Sequence, residues 1–90
     1  MLKYKIEYTT RANKHIEKFK KAGDKKALNK IDVLLEELRE HPKTGTGQPE
    51  YLKYKKSWSR RIDKEHRLVY RIDEDVVVVL VLTAYGHYEE

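Results

Sequence analysis

The feature that most narrows the fold of this chain is an unbroken run of seven apolar residues, Val76-Val77-Val78-Val79-Leu80-Val81-Leu82. A helix needs about 20 such residues to cross a bilayer, so the run is not a membrane span. Valine is stiff at its first side-chain torsion and favours strands over helices. A strand with no polar alternation reads as one buried on both faces, hence a central strand of a sheet. The rest of the chain must therefore supply neighbouring strands and covering helices.

It does so in a definite order. Leu2, Tyr4, Ile6 and Tyr8 alternate with Lys3, Lys5 and Glu7, the period of a strand. Thr9-Thr10 then offers a helix cap. Ala12, Ile16 and Phe19 fall on one helical face, and Ala22-Gly23 ends that helix. Asp24 can cap a second helix with an apolar stripe of Ala27, Ile31, Leu34, Leu35 and Leu38, stopped by His41-Pro42. Residues 42–49 are a loop by composition. Strand signals follow at Trp58–Ile62, His66–Ile72 and Val76–Ala84, separated by the short polar turns Asp63-Lys64-Glu65 and Asp73-Glu74-Asp75. Turns so short pair these strands antiparallel. The expected fold is α+β, in the order β-α-α-β-β-β: a helical hairpin packed on an antiparallel-type sheet. With 90 residues the chain forms one domain at most, with a modest core.

Other classes fall away on composition. There is no cysteine, which excludes disulfides and thiolate zinc sites and fits a reducing cytoplasmic setting. No signal peptide is expected, because charge recurs at every second position near the N-terminus. His15, His41, His66 and His87 show no metal-ligand spacing, so neither a metal nor another cofactor is expected.

Charge is concentrated. Between Tyr51 and Arg71 lie eight Lys or Arg and two acids, so that third nets +6 while the remainder nets −1. Such a patch is a footprint for phosphate. Metal-free phosphodiester cleavage needs a base for the 2′-hydroxyl, an acid for the leaving 5′-oxygen and cations for the phosphorane. The basic third and its edges hold one candidate for each: Glu50, His87, and the pair Arg61 and Arg67. On adjacent strands, Arg61 and Arg67 can share a face as a phosphate clamp, since guanidinium forks match phosphate oxygens. A solvated sheet face, an ordinary surface Glu and a surface His are the bland alternatives. His66 heads a strand on its apolar side and reads as structural. The aromatics Tyr51, Tyr54, Trp58, Tyr70, Tyr85 and Tyr88 lie among or after the cations, where rings can stack on single-stranded RNA. Core packing is their alternative use, Trp58 and Tyr70 among them.

Four blocks resemble one family closely: Gly45-Thr46-Gly47-Gln48-Pro49-Glu50-Tyr51-Leu52-Lys53, then Trp58-Ser59-Arg60-Arg61-Ile62, then Glu65-His66-Arg67-Leu68-Val69-Tyr70, then Gly86-His87-Tyr88. In order and density they are similar to the Txe/YoeB family of the RelE/ParE toxin superfamily. The resemblance covers residues 45–88; between Leu52 and Trp58 the chain is shorter and more basic than is usual there. It implies a RelE-like, microbial ribonuclease-like fold and a toxin of a type II toxin–antitoxin pair that cleaves mRNA in the ribosomal A site. It places the general base on Glu50, the general acid on His87 and the transition-state arginine on Arg67. Lys53, Arg60, Arg61 and Tyr88 are the expected RNA- or phosphate-binding residues. The implied partners are mRNA on the ribosome, ribosomal RNA, a YefM/Phd-like antitoxin and a second copy of the chain, with no membrane. The rival reading is a non-catalytic module of the same fold that binds gyrase or blocks the ribosome, since fold alone does not fix function.

Overall fold

A computed structural model of the chain describes residues 4–53 and 56–84. The elements are β1 (Lys5–Tyr8), α1 (Thr10–Ala22), α2 (Lys25–Leu38), β2 (Glu50–Leu52), β3 (Ser57–Arg61), β4 (His66–Asp73) and β5 (Val76–Ala84). The helical hairpin forms as its caps dictate. Thr9 Oγ1 accepts from Ala12 N–H at 3.1 Å, and Asp24 Oδ1 accepts from Ala27 N–H at 3.1 Å. Gly23 closes α1 in the left-handed conformation at φ 69°, the geometry glycine adopts without a Cβ clash.

The five strands form one sheet in the order β1-β5-β4-β3-β2. β2, β3, β4 and β5 pair antiparallel, and β1 joins β5 in parallel. The expected α+β hairpin-on-sheet architecture is present, with two corrections. The sheet is mixed rather than antiparallel throughout. A further short strand, β2, starts at Glu50 where sequence patterning shows only the edge of a loop; three residues are too few to display an alternation.

Both helices cover the same face. Ala12 and Phe19 of α1 and Ala27, Ile31, Leu34 and Leu38 of α2 pack with Ile62, Leu68, Tyr70, Val77, Val79 and Leu82 in one core. β5 does lie between two strands, yet it is not sealed on both sides, since Val78 and Leu80 are only half-buried. The register of β4 on β5 slips between Val69 and Tyr70, so Val69 faces Val81 while Tyr70 faces Val79. One extra residue in β5 resets the inward phase from Val77 and Val79 to Leu82, which is what a β-bulge does. In β4 the alternation is unbroken: Val69 and Arg67 lie on the face away from the core, and Leu68 and Tyr70 on the helix side.

Candidate active site

The site is built on the sheet face opposite the helices, where β2, β3 and β4 run side by side. Pairing sets Glu50 beside Ser59, Ser59 beside Val69, and Arg61 beside Arg67. Alternation along each strand then gives Glu50, Ser59, Arg61 and Arg67 a common face. The arginine pair expected from the sequence is thus a directly opposed pair on neighbouring strands.

Arg67 is the fixed member. It is 2% exposed. Its Nε donates to Ser59 Oγ at 3.0 Å, and its Nη2 donates to Glu50 Oε1 at 3.2 Å. The ion pair is lopsided: the Arg67 side chain is 3% exposed and that of Glu50 59%. One end is therefore an anchored cation and the other a carboxylate that a substrate hydroxyl can reach. Ser59, itself fully buried, stands in the sequence only as part of the Trp58–Ile62 block, with no role of its own. Its place across from Glu50 depends on the pairing of β2, which the sequence pattern does not display. Arg61 is half-buried and Lys53 is exposed in the turn after β2. His87 and Tyr88, the expected acid and its neighbour, lie outside the described residues.

Arg60 needs correction. It was expected to bind phosphate, but its side chain is completely buried on the helix side of β3. Nε donates to Tyr70 OH at 3.1 Å; Nη1 donates to Glu37 Oε1 at 2.9 Å and Thr46 O at 3.3 Å; Nη2 donates to His41 O at 2.5 Å and Thr44 O at 2.8 Å. A guanidinium has five N–H donors, and these five bonds use them all. None is left for an RNA phosphate.

Its partners explain the glycine spacing of the 45–47 loop. A Cβ at Gly45 would lie 2.3 Å from Glu37 Oε1, and one at Gly47 would lie 3.0 Å from Arg61 O. Both glycines also hold positive φ, at 128° and 85°. The Gly-Thr-Gly pattern therefore serves close packing of the loop on Arg60 and Glu37. Glu37 escaped the sequence reading altogether. Its position was a usable signal, because an acidic residue in the last turn of a helix opposes the helix dipole and calls for a compensating partner. Burial pushes the Glu37 carboxyl up, but hydrogen bonds from Thr46 and Arg60 outweigh it and hold the group below the usual carboxylate range.

Two histidines, His66 and His15, also find partners. The His66 ring packs edge-on against Phe19 with centroids 5.0 Å apart, and its Nδ1 lies 2.9 Å from Asp63 Oδ1. That agrees with the structural role expected for it. His15 Nδ1 accepts from Leu82 N–H at 3.1 Å, so that nitrogen carries no proton.

A helical hairpin on one face of a five-stranded mixed sheet is the RelE-like class of α+β fold. The model of the YoeB-like toxin of bacterial type II toxin–antitoxin systems matches residues 8–88. The toxin YoeB of Mycobacterium bovis is 48% identical over 61 residues, which is 66% of this chain and 72% of that one. A YoeB/ParE toxin from Agrobacterium tumefaciens superposes with a TM-score of 0.82 at 30% identity, covering 90% of this chain and 98% of that one. A Staphylococcus aureus YoeB, solved in a heterotetrameric complex with YefM, gives 0.77 at 33% identity over 93% and 98% of the two chains; a YoeB dimer from the same organism gives 0.80 at 33% over 94% and 99%. The chain belongs to the YoeB-like toxin family of bacterial type II toxin–antitoxin systems.

Proposed function

We propose that this toxin is a metal-independent endoribonuclease that cuts messenger RNA in the ribosomal A site and so arrests translation. The observation that carries this reading is the Glu50–Arg67 pair: a reachable carboxylate held against a buried, anchored guanidinium, with Arg61 opposite. Glu50 accepts the proton of the 2′-hydroxyl. The freed oxygen attacks the adjacent phosphorus, the P–O5′ bond breaks, and His87 as imidazolium protonates the departing 5′-oxygen. Arg67 and Arg61 stabilise the doubly charged phosphorane. The products are a 2′,3′-cyclic phosphate, or the 3′-phosphate from its hydrolysis, and a 5′-hydroxyl. Lys53 and Tyr88 hold the message.

The partners follow the same reading: mRNA and ribosomal RNA in the cytoplasm, a YefM-type antitoxin, and a second copy of the chain. The solved complexes of the Staphylococcus aureus relative support the last two.

The test is a reconstituted translation reaction with a labelled message, comparing wild type with Glu50→Ala and His87→Ala. Ribosome-dependent cuts at A-site codons that fall at least about 100-fold in either variant agree with acid–base catalysis. Arrest without cuts, unchanged in both variants, means a binding inhibitor and overturns the assignment. So do 5′-phosphate ends or a strict metal requirement.

A further inference from the structure

Glu50 begins a strand that has little to hold it. β2 is three residues long and, among the described residues, lies at the sheet edge, paired with β3 alone. Short edge strands with one neighbour open easily. Catalysis by a general base needs the opposite, a carboxylate kept within a fraction of an ångström of its proton. Something upstream must fix the backbone that enters β2.

That something is on the far side of the sheet. The segment from His41 to Gly47 leads directly into Pro49 and Glu50. Arg60 grips three of its carbonyls, those of His41, Thr44 and Thr46. Tyr70 OH donates to a fourth, Pro42 O, at 2.6 Å. Glu37 holds the same segment from the helix: its Oε1 accepts from Thr46 N–H at 2.7 Å and its Oε2 from Thr46 Oγ1 at 2.5 Å. Gly47 O then accepts from Arg61 N–H at 2.7 Å, which sets the loop against β3 immediately before Glu50.

We propose that Glu37, through Arg60 and Thr46, is a positioning residue for the reaction: it fixes the 41–47 segment and thereby places the Glu50 carboxylate against Arg67. This rests on the reading of Glu50 as the base. Glu37 touches no substrate. β3 carries the coupling, because Arg60 secures the loop on one face and its neighbour Ser59 secures Arg67 on the other. Loop and guanidinium are thus referenced to two consecutive residues of one strand.

The test measures ribosome-dependent cleavage of a labelled message under single-turnover and saturating conditions for Glu37→Ala, Glu37→Gln and Thr46→Val, each alone and combined with Glu50→Ala. Thr46 sits on the exposed loop, so Thr46→Val removes one contact and leaves the core untouched. Folded fraction is followed by circular dichroism. Glu37→Ala should lower kcat on the order of 10- to 100-fold, with the KM for ribosomes unchanged. Thr46→Val should lower kcat to a lesser degree. Glu37→Gln keeps the acceptor toward Arg60 and Thr46 N–H, and should recover most of the loss. On the Glu50→Ala background the Glu37 and Thr46 substitutions should have no further effect, since there is no carboxylate left to place. A residue that acts only on folded fraction would lower both backgrounds alike, and that result overturns the proposal. So does wild-type kcat in folded Glu37→Ala. If Glu37→Ala fails to fold, Thr46→Val decides alone: unchanged kcat overturns the proposal. Should Glu50→Ala itself cleave at the wild-type rate, the base assignment fails first and the positioning role with it.

Discussion

Arg60→Lys is the substitution that most sharply separates a buried structural cation from an RNA-binding one. Lysine retains the charge and most of the reach. It offers three donors where the guanidinium offers five, and they radiate from one nitrogen instead of lying in a planar fork. At least two of the five acceptors now bonded to Arg60 lose their donor. A buried acceptor left unsatisfied costs about 1–3 kcal/mol. His41, Thr44 and Thr46 belong to exposed residues, so water can replace some of the lost bonds; Tyr70 OH, in a residue with no exposure, has no such recourse. The net cost is then about 2–3 kcal/mol. That is a large share of the stability of a domain this size, roughly 5–13 kcal/mol at the usual stability per residue.

Urea unfolding followed by Trp58 fluorescence measures it. With a slope of about 1–2 kcal/mol per molar, the midpoint should fall by about 1–3 M with the slope unchanged. If Arg60 were instead a phosphate ligand, Arg60→Lys would unfold like wild type and lose affinity for RNA. A midpoint within roughly 0.3 M of wild type would refute the argument that the five bonds are structural.

Three further expectations follow from the same geometry. Ser59→Ala removes the acceptor of Arg67 Nε; it should cost about 1 kcal/mol in urea unfolding and lower single-turnover cleavage more than ribosome affinity measured by sedimentation. Gly47→Ala should destabilise more than Gly23→Ala in a thermal melt, because both positions hold positive φ but only at Gly47 does the added Cβ meet neighbours, with nothing within 4 Å at Gly23; equal losses would mean that conformation alone matters. Stability should also fall on acidification in separable steps. Burial, then Lys18 and Arg11, lower the His15 pKa from its ordinary 6.5, so its contribution is complete above pH 6.5 and is lost as pH drops through the lowered value. Glu37 and Asp63 are held below their ordinary 4.5 and 3.8, so theirs is lost further down. His15→Gln should erase the first step and leave the second, as read from the thermal midpoint between pH 8 and pH 3.

The sequence speaks most clearly where local chemistry and tertiary need coincide. Thr9, Gly23 and Asp24 mark the helix ends because capping is decided within a few residues. The β3–β4 pairing follows from a turn too short for any other partner, and with it the opposition of Arg61 and Arg67. What stays hidden depends on contacts distant in sequence. β1 pairs in parallel with β5 across 71 positions of register, a choice that no window around Tyr4 or Ile6 displays. The bulge in β5 is invisible in an unbroken run of apolar residues. Arg60 and Arg61 are adjacent cations in one block, and charge counting cannot tell them apart. Only the phase of the strand does: Arg60 shares the inward side with Ile62, Leu68 and Tyr70, and a cation there must be fully bonded or absent.

That phase also shows why one strand carries so much of the site. Alternation in β3 sends Ser59 to the face away from the helices and Arg60 to the core, with backbone between them that cannot flex independently. A Glu–Arg pair drawn from an edge strand and a central strand needs a common reference, and β3 lies between β2 and β4. Ser59 orients the guanidinium supplied by β4, while Arg60 orients the segment that delivers the carboxylate of β2. The Trp-Ser-Arg-Arg block is therefore mixed in purpose. Its serine and second arginine lie on the Glu50 face and its first arginine faces the protein, so removing the two charges should act differently: lower stability at 60, a weaker cationic face at 61.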